Sequence, residues 1–117
     1  MAYTSNLISG TLDLLVLSLL KQKDTYAYEI SKDILNYSEG LLELSLNSIY
    51  TVLYKFEKEN MVTEYSILVG RKRTRIYYHL EPLGEEYLDA LSKDYFRISE
   101  GVNKVLHSAA NPENETI

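Results

Sequence analysis

The chain has no cysteine, which excludes a disulfide framework, a thiolate zinc site and a cysteine nucleophile at once. Its two histidines, His79 and His107, are too few and too far apart to build a metal cage, so no metal is expected. Long hydrophobic runs are also missing. Near the N-terminus the longest runs from Leu14 to Leu17 and is bracketed by Asp13 and Ser18, so no membrane-spanning segment is expected. The first residues lack the basic stretch of a secretory leader, and a cytoplasmic location is the expectation. Catalytic apparatus is lacking as well. Glu85 and Glu86 are adjacent and would point apart on a helix. No serine and histidine fall in a nucleophile elbow, and no glycine-rich phosphate loop is present. Neither an enzyme nor a cofactor is expected.

What the chain does have is enough apolar material for one core: 45% of its 117 residues. That suits a single domain with a helical appendage. The aromatics are lopsided, with eleven tyrosines against two phenylalanines and no tryptophan. Tyrosine pairs an apolar body with a polar tip and suits half-exposed or interface positions, and Tyr28, Tyr50, Tyr78 and Tyr87 are expected to pack in the core or at its rim.

Residues 7–22 read as a first helix capped by Asn6 or Ser5, apolar on nearly every side, so more than one element must cover it. Gly10 inside it suggests a close approach. A second helix is expected over 25–38, capped by Asp24 or Thr25 and stopped at Gly40. A third, over 46–59 with Ser45 as cap, is the cleanest amphipathic segment: Ile49, Val52, Leu53 and Phe56 form one face, and Asn47, Thr51, Tyr54, Lys55 and Lys58 the other, with Ser48 at its edge. Residues 62–68 and 73–80 are rich in β-branched and aromatic side chains and read as a hairpin closed by Val69, Gly70, Arg71 and Lys72. In its second strand Ile76, Tyr78 and Leu80 would share one face, and Arg75, Tyr77 and His79 the other. Pro82 opens a last helix over 82–108. Along it Leu88, Leu91, Tyr95, Ile98, Val102 and Val105 are spaced alternately by three and four. A short coiled-coil seam and a packing helix inside a dimer both fit that spacing. The expected division is a winged helix-turn-helix over 1–80, a dimerisation helix over 81–108 and a disordered tail over 109–117.

Three helices followed by a hairpin is the order of a winged helix-turn-helix, mainly α with a β-hairpin wing, whose third helix enters the major groove. The net charge of −5 opposes a nucleic-acid partner only until it is divided along the chain. Residues 1–44 sum to −3, residues 45–75 to +3 and residues 76–117 to −5. The positive segment holds Lys55, Lys58, Arg71, Lys72, Arg73 and Arg75, half of all the lysine and arginine. Cations there would neutralise phosphates and release counterions. Short polar side chains at the start of the third helix suit close approach to base edges. Asn47, Ser48, Thr51 and Tyr54 are therefore the expected base readers, and Lys55, Arg71, Lys72, Arg73 and Arg75 the expected phosphate contacts. The competing class is a winged helix that docks an acidic protein partner and binds no DNA. Tyr95 interrupts the aliphatic seam of the last helix; it reads either as packing or as a ring lining a cavity between two subunits.

The residues Gly10-Thr-Leu-Asp-Leu-Leu-Val-Leu-Ser-Leu-Leu20, Tyr26-Ala-Tyr-Glu-Ile30, Leu44-Ser-Leu-Asn-Ser-Ile-Tyr50 with Leu53 and Glu57, and Arg75-Ile-Tyr-Tyr-His-Leu80 stand in that order. In that order and spacing the chain resembles the PadR family of bacterial transcriptional regulators over about residues 7–108. It departs from the family's usual glycine at Ala27, proline at Thr51, glycine at Asn60 and threonine at Glu81. The resemblance implies a homodimeric repressor of an inverted-repeat operator, with the last helix packed on the partner's first helix. That packing would account for the first helix being apolar all round. The dimer residues implied are Leu88, Leu91, Tyr95, Ile98, Val102 and Val105. The single C-terminal helix resembles the short subgroup, some of whose members bind flat aromatic compounds at the dimer interface. Leu14, Ser18, Tyr95 and Ser99 match that channel.

Overall fold

The computed structural model describes residues 10–111. The expected caps Asn6 and Ser5, the start of the first helix at residue 7, and the tail beyond 111 lie outside the described residues, while Ala109 and Ala110, expected in that tail, continue the last helix. Among the described residues four helices and one hairpin follow in the order α1 (Leu12–Gln22), α2 (Ala27–Tyr37), α3 (Leu46–Lys58), β1 (Val62–Val69), β2 (Arg73–Leu80) and α4 (Pro82–Ala110). The expected winged helix-turn-helix with a long C-terminal helix is what the chain forms.

Helix α1 occupies the centre. Its Leu12, Val16, Leu17, Leu19 and Leu20 are all buried, and α2, α3, β2 and α4 all pack against it. Most of its apolar girth is therefore covered by its own chain, which narrows the part left for a partner. Gly10 shows no close approach among the described residues: a methyl added there would meet none of them. The close approach is at Gly84, where an added Cβ would run into the carbonyl oxygen of Met61.

The expected caps of α2 do other work. Its N-cap is Tyr26, with no side-chain cap bond. Thr25 instead forms a bridge to the wing: the Tyr78 N–H donates to the Thr25 carbonyl at 2.8 Å, and the Thr25 N–H to the Tyr78 carbonyl at 3.3 Å. Asp24 is taken by side chains of the wing, described below. At the far end the chain leaves α2 through Glu39 and Gly40, at φ 54° and 83°. The Ser38 hydroxyl pins this turn by accepting from the Leu42 N–H at 2.9 Å.

The Ser45 cap is confirmed, its Oγ accepting from the Ser48 N–H at 3.2 Å. Ile49, Val52, Leu53 and Phe56 form the buried face of α3. The helix ends through Asn60 at φ 60°, a left-handed residue where the Met61 N–H reaches back to the Phe56 carbonyl at 2.9 Å. The strands pair antiparallel from Val62 opposite Leu80 to Val69 opposite Arg73, so β1 runs one residue longer than expected and the tip is Gly70, Arg71 and Lys72. Tyr78 is buried, as expected, but Ile76 on the same face is exposed. Tyr28, expected in a rim, is 61% exposed.

Helix α4 joins the core only at its start. Gly84 and Leu88 are buried, Leu91 is half-buried, and from Lys93 onward most side chains are exposed. The described chain measures 69 Å along its longest axis and 29 Å and 22 Å across it.

Candidate nucleic-acid interface

The outward side of α3 carries the expected readers. Asn47, Thr51, Tyr54 and Lys58 are exposed along one stripe. The Thr51 hydroxyl donates to the Asn47 carbonyl at 2.8 Å. The Tyr54 ring stacks on Tyr50, centroids 5.6 Å apart, and is steadied by it. Ser48 differs from the expectation: it is half-buried, and its hydroxyl is 3.0 Å from that of Ser45, inside the cap.

The flanks of the stripe are not alike. On one side the Lys55 ammonium, expected at a phosphate, donates to the Asp13 carboxylate of α1 at 2.6 Å. On the other side Glu57 faces Glu64 of β1. Burial, then the neighbouring Glu64 carboxyl, push the Glu57 carboxyl above the usual carboxylate range.

At the wing tip Arg71, Lys72 and Arg73 are exposed, and no carboxylate pairs with them among the described residues. Arg75, grouped with them by sequence, is elsewhere. Its guanidinium lies over the Tyr26 ring, 4.1 Å from the centroid, and is half-buried against the body. Tyr77 sits between Tyr26 and Tyr65, with centroids 5.3 Å and 5.8 Å away.

The root of the wing is tied to the α1–α2 loop by a group that local sequence does not reveal. Asp24 accepts from the Tyr65 hydroxyl at 2.7 Å and pairs with His79 Nδ1 at 2.7 Å. Burial alone would raise the Asp24 carboxyl, but the bonds from Tyr65 and His79 outweigh it and hold it below its ordinary value. The same carboxylate raises His79, through their hydrogen bond first. The His79 side chain is half-exposed, yet it is engaged.

The four residues matched to a ligand channel are divided between two clefts. Leu14, Tyr95 and Ser99 line a cleft of about 340 Å³ between α1 and α4. Leu14, Ser18 and Tyr95 line a neighbouring one of about 260 Å³. Of the six expected dimer residues, Leu88 is removed: it is 3% exposed inside its own chain. Tyr95, Ile98, Val102 and Val105 are exposed. Phe96 and Leu106, which lie off the three-four spacing, extend the same exposed apolar surface.

The family model for the transcriptional regulator PadR-like family matches residues 16–90. An uncharacterized protein from Lysinibacillus sphaericus is 33% identical over 96 residues, covering 82% of this chain and 88% of that protein. The fold is similar to that of a transcriptional regulator from Clostridium thermocellum, with a TM-score of 0.77, 30% identity and coverage of 86% of this chain and 94% of that one. It is also similar to a PadR family transcription regulator from hypervirulent Clostridium difficile, with a TM-score of 0.70, 27% identity and coverage of 82% and 98%.

Proposed function

The chain belongs to the PadR-like family of transcriptional regulators, and from that membership we propose that it is a homodimeric repressor that reads an inverted-repeat operator and is released by a small aromatic effector. One observation carries the DNA-binding part. The exposed polar stripe of α3 belongs to the same unit as a hairpin whose tip offers three unpaired cations among the described residues. Asn47, Thr51 and Tyr54 read base edges, and Arg71, Lys72 and Arg73 hold backbone phosphates. The dimer part is supported by the outer half of α4, where Tyr95, Phe96, Ile98, Val102, Val105 and Leu106 are exposed among the described residues. The effector part is supported by the two clefts on either side of Tyr95, each between α1 and α4 and each largely apolar.

Selection of binders from a random DNA pool tests the first part. Enrichment of an inverted repeat is the expected result. Its absence overturns the reading and leaves a winged helix that docks an acidic protein partner. Light scattering at micromolar concentration is expected to report a dimer, and a monomer would sink that part. A Tyr95→Ala protein is expected to bind planar aromatic dyes more weakly than the parent, and equal affinity would remove Tyr95 from the site.

A further inference from the structure

Asp13 and Lys55 are 42 residues apart in sequence, yet the lysine Nζ donates to the carboxylate at 2.6 Å. The ion pairs of Lys21, Arg97 and Lys104 span 3.6–3.8 Å and lie in the open. This one is half-shielded: the Asp13 side chain is 21% exposed and that of Lys55 44%. Asp13 stands in the first turn of α1, where the helix dipole favours a carboxylate. Lys55 stands on a flank of α3. At about 100° per residue it is turned roughly 70° from the middle of the outward stripe, toward α1. Its ammonium also lies 4.6 Å from the centroid of the Phe56 ring.

We propose that Asp13 is an internal substitute for a DNA phosphate, which occupies Lys55 in the free and the DNA-bound protein alike and so sets the electrostatic strength of the recognition helix. The inference rests on the DNA-binding reading above. Handing Lys55 to a phosphate would exchange one charge-assisted hydrogen bond for another. It would also strand Asp13, a mostly covered carboxylate, without its partner, so the exchange runs uphill. The pair therefore persists on DNA. Its effect is on specificity. Each phosphate contact adds sequence-independent affinity, whereas discrimination comes from base edges. Neutralising one of the two lysines of α3 lowers attraction to every sequence and leaves the readers Asn47, Thr51 and Tyr54 untouched. Asp13 acts through Lys55 and touches no DNA, so it is a positioning residue.

The test is the salt dependence of binding to a fluorescent random-sequence duplex of about 30 base pairs, for the full chain and four variants: Lys72→Ala, Lys55→Ala, Asp13→Asn and the double Asp13→Asn/Lys55→Ala. Lys72→Ala is expected to flatten the log–log slope by about 1, because one phosphate contact is lost. Lys55→Ala is expected to keep the parent slope. Asp13→Asn is expected to steepen it by about 1 and to bind roughly 3- to 10-fold tighter at about 50–200 mM salt. In the double variant both gains are expected to vanish. A Lys55→Ala slope flattened by about 1 would overturn the inference. So would an Asp13→Asn gain that survives the loss of Lys55, because it would then be a general charge effect. If the parent itself shows no salt-dependent binding, the DNA-binding reading fails and this inference falls with it. A parent that binds, with Lys72→Ala flattened, separates that failure from failure of the inference alone. Lys55→Ala truncates a solvent-side chain and decides the matter even if Asp13→Asn does not fold.

Discussion

A methyl group at Gly84 has no room, because the atom it would strike is a backbone oxygen, that of Met61, which cannot rotate away as a side chain can. Gly84→Ala is expected to destabilise the fold by about 2 kcal/mol through overpacking, read as a lower denaturation midpoint at fixed protein concentration. An unchanged midpoint would mean that α4 shifts freely at its root. Thr25 offers the opposite case. Its hydroxyl is buried and has no hydrogen-bond partner among the described residues. Thr25→Val keeps the shape and removes the stranded group, so a gain of about 1 kcal/mol is expected in the same measurement, and a loss would reveal a hidden partner for the hydroxyl. Neither position is legible in the sequence. A glycine on a helix and a threonine before one look like ordinary propensity choices until the opposing chain is in place. The partners Asp13 with Lys55 and Asp24 with His79 are 42 and 55 residues apart and leave no periodic trace. The fate of Asp24 and Thr25 follows from the same cause: both are good caps, and tertiary contacts claimed them first.

The hairpin and α3 are where local pattern succeeded. Alternation of β-branched and aromatic residues fixed both strands to within one residue, and Ser45 marked the start of α3 correctly. Alternation could not show that Arg75 would fold back on Tyr26 while Arg71 to Arg73 remain free, since all four are basic residues of one short segment. The tether between the wing and the α1–α2 loop has a pH window with a worked sign. His79 is raised by Asp24, so its contribution is complete below the ordinary histidine value of about 6.5 and fades as pH climbs through the raised value. Asp24 is lowered, so its share is complete above its ordinary value of 3.8 and fades as pH falls through the depressed one. Amide protection factors at Thr25 and Tyr78 are therefore expected to fall as pH climbs above about 6.5 in the parent and to stay flat in His79→Gln. Equal pH profiles in the two proteins would refute the tether.

At the scale of the molecule, the outer half of α4 is an apolar surface in search of cover. In the proposed dimer Val102 lies within that surface, so Val102→Asp places a carboxylate among Ile98, Val105 and Leu106. Dissociation about 100-fold easier is expected, seen as a monomer in light scattering at concentrations where the parent pairs. The first turns should stay folded, since Gly84 and Leu88 root them in the core. A dimer that tolerates the change would move the interface elsewhere. The sequence showed the stripe but not where its role changes, because the three-four spacing is the same for Leu88, which is buried in its own chain, and Val102, which is half-exposed. The root of α4 has one more consequence. The Glu81 N–H donates to the Met61 carbonyl at 2.9 Å, the Thr63 hydroxyl to the Glu81 carboxylate at 2.7 Å, and Gly84 presses on Met61. The first strand of the wing and the first turn of α4 thus share a joint without play. Helix α4 has 29 residues, so it is a lever of about 43 Å whose far end travels roughly 4 Å for a tilt of about 5° at that fulcrum. Motion runs through such a joint in both directions: what seats the wing aims the arm, and what grips the arm aims the wing.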